Sequence, residues 1–156
     1  MLKKIICAAA AVLLLMSLMA CKQESDAPYV EYRGQKITMG AQAEEIITAL
    51  GECQSEDYIG DCGGLGAQIK YSYPSVYVYV LESKDEGKII DEISFRDDGI
   101  TTPEGVYIGM SVNEAKQKLG VPTVESDAKL EYEVGEYVIL LTVSDGKINK
   151  IDYKNI

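Results

Sequence analysis

Two stretches decide how this chain is read. The first is Gly109-Met110-Ser111-Val112-Asn113-Glu114-Ala115-Lys116-Gln117-Lys118-Leu119-Gly120, and its earlier counterpart is Gly40-Ala41-Gln42-Ala43-Glu44-Glu45-Ile46-Ile47-Thr48-Ala49-Leu50-Gly51. Each runs glycine, nine residues, Leu-Gly. Ala43, Ile46, Ile47 and Leu50 share one helical face, as do Val112, Ala115 and Leu119. Ser111 with Glu114 three residues on forms a capping box, and Gly51 and Gly120 are natural helix stops.

Working outward, each helix is followed by runs that read as strands. After the first come 67–73, 75–82 and 88–96; after the second come 128–134, 136–143 and 147–154. In Val76-Tyr77-Val78-Tyr79-Val80 the alternation puts valines on one face and tyrosines on the other. The runs correspond between the copies: Ala67 to Tyr71 with Ala128 to Tyr132, Tyr77 to Leu81 with Tyr137 to Leu141, and Ile90 to Phe95 with Ile148 to Tyr153. A repeated helix, meander and turn in one order points to duplication. The expected fold class is therefore α+β: a tandem duplication of a helix plus a three-stranded antiparallel meander, helices packed on sheet. The first unit is placed at 29–99 and the second at 100–156. A short strand pair, 29–33 and 36–38, precedes the first helix. Residues 52–66, rich in glycine and acids, read as an irregular loop.

The first twenty residues form a separate segment. Lys3 and Lys4 precede an apolar run from Ile5 to Ala20 broken by Ser17, the layout of a secretory signal peptide. Leu18-Met19-Ala20-Cys21 resembles the lipobox of bacterial lipoprotein precursors. The resemblance implies cleavage before Cys21, acylation of its sulfur and a tether over 21–28. The bilayer is thus one expected partner, and the extracytoplasmic face of a bacterial membrane the expected location. Two or three acyl chains hold a protein far more firmly than one.

Cys7 leaves with the signal and Cys21 is lipidated, so Cys53 and Cys62 remain. Two cysteines in an exported chain point to one disulfide, worth on the order of 2–3 kcal/mol in the chain-entropy model. The chain has no histidine and these two cysteines are not spaced as CxxC, which argues against a zinc or redox pair. Loss of Lys3 and Lys4 leaves 13 basic against 25 acidic residues, a net charge of −12. Such a domain is repelled by nucleic acid and anionic headgroups.

The Ile-Gly-Met-Ser helix entry at 108–111, the Leu-Gly exits and the strand meander resemble the small tandem α/β domains of β-lactamase inhibitory protein. More distantly they resemble the small lipoprotein of the outer-membrane β-barrel assembly machine (SmpA/OmlA type). The linker from Thr102 to Gly109 also resembles a pattern in Gram-positive lipoproteins. The resemblance implies a fold and a habit of binding other proteins, and no functional residue is carried over.

Catalytic chemistry needs a group poised near neutral pH or an activated nucleophile. Without histidine, a GxSxG elbow or a Walker loop, the chain reads as non-enzymatic, with no cofactor and no metal site. Tyrosine dominates the aromatics, 11 against one phenylalanine and no tryptophan, and it suits surfaces with one apolar and one wet side. Tyr71, Tyr73, Tyr77, Tyr79 and Tyr137 are the candidate partner-binding residues on a sheet face. The expected function is a membrane-anchored envelope lipoprotein that binds another envelope protein as scaffold, assembly factor or inhibitor. The alternative is a sensor of a small ligand or cation built on the acidic 52–66 segment.

Overall fold

A computed structural model describes residues 27–61 and 66–156. Cys21, the apolar run before it and Cys62 lie outside the described residues. The described elements are β1 (Tyr29–Tyr32), β2 (Gln35–Thr38), α1 (Ala43–Leu50), β3 (Ser55–Asp61), β4 (Ala67–Ser72), β5 (Val76–Ser83), β6 (Gly87–Phe95), α2 (Val112–Leu119), β7 (Val124–Ser126), β8 (Lys129–Val134), β9 (Tyr137–Ser144) and β10 (Lys147–Asn155). β1 and β2 form a separate hairpin. The other eight strands make one antiparallel sheet ordered β3-β4-β5-β6-β10-β9-β8-β7.

This corrects the expected architecture. The protein is mostly β, and its centre is a continuous eight-stranded sheet, not two helix-plus-three-strand units. Two strands account for the difference. β3 occupies the middle of what reads as the 52–66 loop, and β7 precedes β8. Both lie at sheet edges, where side chains on both faces meet water; all three β7 residues and six of the seven in β3 are exposed or nearly so. An edge strand of this kind carries no period-2 apolar signal, so its sequence looks like a polar loop.

The expected Cys53–Cys62 disulfide falls on Cys62 and so lies outside the described residues. β3 starts two residues after Cys53 and runs extended from Ser55, opposite Ser72, to Asp61, opposite Ala67. Cys53 is a half-buried free thiol.

The halves of the sheet share internal contacts. Gly40 N donates to Ile90 O at 2.8 Å and Ile90 N to Ala41 O at 2.9 Å; Gly109 N donates to Ile148 O at 2.7 Å and Ile148 N to Met110 O at 2.8 Å. One residue further, the pairing skips Asp91 in β6 and Asn149 in β10, a bulge at the same place in each half. These ladders also fix which residues correspond. Tyr77 pairs with Ser94 and Leu140 with Asp152, so the counterpart of Tyr77 is Leu140, not Tyr137. A three-residue slip reverses the face. Tyr137 accordingly lies on the helix side, with its hydroxyl packed where a Cβ on Gly40 would sit.

Val76, Val78 and Val80 face the helices and share one core with Ala43 and Leu50 of α1, Ala115 of α2, and Ile139, Leu141, Ile148 and Ile151. Val30 and Ile37 of the hairpin complete it, both fully buried. Each helix has eight residues, too short to persist alone in water. Burial of their apolar faces holds them, at about 1.5–3 kcal/mol per large side chain. The α2 capping box forms as expected, with Ser111 Oγ accepting from Glu114 N and Glu114 Oε2 accepting from Ser111 N, both at 3.3 Å. Between the halves, Ile93 pairs with Tyr153 and Ser94 with Asp152, and the Phe95 and Tyr153 rings stack at 6.1 Å.

Candidate functional site

With α1, α2 and the hairpin all in the core on one side, the other face of the sheet has no described element over it. The alternation in β5 places Tyr77 and Tyr79 there, half-buried, with ring centroids 6.4 Å apart in an edge-on arrangement. Two cations frame Tyr77. The Arg96 guanidinium lies 4.7 Å and Lys70 Nζ 5.1 Å from its ring centroid, within the range of cation–π attraction. Arg96 is held by donation to Tyr73 O at 2.6 Å and Gln54 Oε1 at 2.7 Å. Lys70 reaches Asp57 at 3.3 Å.

Across the next strands the face continues as paired charges. Tyr79 lies opposite Glu92, and Glu92 opposite Lys154, which it meets at 3.3 Å. Burial raises the Glu92 carboxyl above the usual range, opposed by Lys154. Burial also raises the Tyr79 phenol, with the Glu92 charge adding to the effect. Asp152 is 1% exposed. Its Oδ1 lies 2.9 Å from Lys150 Nζ, so the charge is compensated. The face is thus partly dry and set with fixed charges. In a chain of net charge −10, it alternates cations and acids.

The five tyrosines expected on one surface divide. Tyr77 and Tyr79 share the open face. Tyr71, Tyr73 and Tyr137 lie on the opposite side. Tyr71 donates to Glu56 at 3.3 Å and lines a shallow cavity of about 200 Å³ with Ile47 and Lys88. Tyr73 is fully buried against Tyr32, ring centroids 6.0 Å apart, and burial pushes its phenol up to about 12, with Cys53 contributing. Tyr137 lines a cavity of about 560 Å³ with Glu86 and Glu136. Tyr71 pairs with Val78 and so takes the valine side of the sheet, and Tyr73, two residues on, stays on that side; the β4–β5 register, which decides this, is not visible in the sequence. Lys70, Glu92, Arg96, Asp152 and Lys154 were not singled out from sequence. Their parity with Tyr77 and Tyr79 becomes visible only once the ladders are known.

Among the described residues no group of three or more cysteine, aspartate or glutamate side chains is placed to hold a metal ion. The acids proposed for a sensing loop are strung along β3 and its approach. No helix among the described residues is long and apolar enough to cross a membrane. Compared with protein-family models, with curated proteins and with solved structures, the chain finds no match. What fold and site define is a class: a mostly β protein whose single large sheet is packed on one face and open, half-buried and charge-patterned on the other.

Proposed function

We propose that this chain is a membrane-anchored envelope lipoprotein that binds another protein through the open sheet face, acting by shape and charge without catalysis. The observation that carries this reading is the Tyr77–Tyr79 pair between Lys70, Arg96 and Glu92. Aromatic rings already half-desolvated lose little conformational entropy on contact, and aromatic and arginine side chains supply most of the energy at interfaces. The charges around them set register with a complementary partner. Acylation at Cys21 would keep this face close to the membrane, in keeping with the lipobox-like sequence.

The test is capture from native envelope with the acylated protein, compared with Tyr77→Ala plus Tyr79→Ala. One specific partner retained by the native protein and lost with the double substitution supports the reading. Recovery of no specific partner, or a complex indifferent to both substitutions, removes it.

A further inference from the structure

We propose that β3 is a second docking element, an open sheet edge that accepts an extended basic segment of another polypeptide by strand addition. Among the described residues β3 pairs only with β4, and no described strand takes the backbone groups on its other side, the groups a further strand would use. At the opposite edge β7 is cut to three residues, whereas β3 keeps seven. Natural edges are blunted by charged side chains, proline or bulges. β3 has one bulge, where the register skips Ile59, and its charges are all acidic, with no lysine, arginine or proline, so they oppose acidic strands and not basic ones. It also presents Tyr58 at 69% and Ile59 at 48% exposure, side chains suited to flank an added strand.

Charge selects the occupant. From Gly51 to Ile69 there is no lysine or arginine, while Glu52, Glu56, Asp57 and Asp61 all fall in that span. Glu56 accepts from Tyr71, and Asp57 meets Lys70 with half its side chain still exposed. A second copy of β3 would bring the same acids together, and like charges across strands oppose pairing. A segment alternating lysine with β-branched residues satisfies the backbone and brings its lysines to one face of β3, the Glu56 face or the Asp57 face according to register, with its apolar side chains on the other.

The probe is a capped Lys-Val-Lys-Val-Lys-Val peptide, added to the isotope-labelled full chain in detergent and followed by amide NMR and hydrogen exchange. Its control is the same peptide N-methylated at alternate residues, which keeps every charge but cannot join a ladder. Strand addition predicts shifts and slowed exchange confined to residues 55–61. It also predicts at least a tenfold weaker affinity for the methylated peptide and for the Glu56→Lys plus Asp57→Lys variant. Equal affinity for both peptides, shifts centred on Tyr77 and Tyr79, or no binding at millimolar peptide would each overturn the proposal. The peptide comparison uses the unsubstituted chain, so a poorly folded variant does not blunt the test.

Discussion

Replacing Tyr73 with phenylalanine is expected to stabilise the protein, against the usual direction of a core substitution. Tyr73 has 0% exposure and its hydroxyl has no hydrogen-bond partner. A buried hydroxyl left unpaired costs about 1–3 kcal/mol. Removing it leaves the ring, its contact with Tyr32 and the Arg33 guanidinium 5.6 Å from its centroid. The void left by one oxygen offsets part of the gain, so the net effect is roughly +1 kcal/mol, or about 2–4 °C in Tm for a chain of this size. The substitution also changes the alkaline limb. In the folded state burial pushes the Tyr73 phenol up to about 12 from 10.0. A raised folded value means the folded state keeps the proton longer. Its contribution is intact below pH 10 and is lost as pH rises to 12, on the order of 2–3 kcal/mol. Urea denaturation at pH 7, 10 and 12 reads both effects. Tyr73→Phe should unfold at higher urea at pH 7 and lose less stability between pH 10 and 12. Destabilisation by more than about 1 kcal/mol at pH 7 would show that the hydroxyl has a partner and that the core is assembled differently.

Further expectations follow from single contacts. Gly40→Ala should cost about 1–3 kcal/mol, because φ there is +70° and the new methyl meets the Tyr137 hydroxyl; Tyr137→Ala in the same chain should recover part of that loss in thermal melts. Ile93→Ala, at the junction of the halves, should cost about 2–5 kcal/mol and leave one cooperative transition; two separated transitions would show that the halves fold independently. Ser111→Ala removes the α2 cap and should lower stability by about 1 kcal/mol. The Cys53 thiol should react with a thiol reagent in the folded protein. A Cys53 that resists the reagent in the folded protein but reacts after unfolding without reductant would contradict its accessibility, and one that reacts only after reduction would contradict the free thiol.

Much of the fold could be read from the sequence wherever apolar residues alternate or recur at helical spacing. The Val76 to Val80 alternation, the Leu-Gly helix exits and the Ser111–Glu114 box all reappear in the structure, and six strands fall within a residue or two of their expected ends. The edges could not be read, since β3 and β7 bury almost nothing and leave no pattern. Register could not be read either. Matching Tyr77 with Tyr137 on residue identity put Tyr137 on the wrong face, because only ladder hydrogen bonds distinguish Tyr137 from Leu140 as the counterpart. For the candidate site, the tyrosine excess directed attention to β5 but grouped Tyr71 and Tyr73 with Tyr77 and Tyr79, which the sheet places on the other face. The cations and acids around the open pair come from four other positions in β4, β6 and β10 and one just beyond β6, which adjoin only in the assembled sheet.

The open sheet face as a protein-docking surface is tested most directly by photocrosslinking on intact cells. A photoreactive residue is placed at position 77 or 79, or at position 118 on α2 as the comparison. The account predicts a discrete protein adduct from 77 and 79 and none from 118. Adducts from 118 alone, or none from any position, would contradict it.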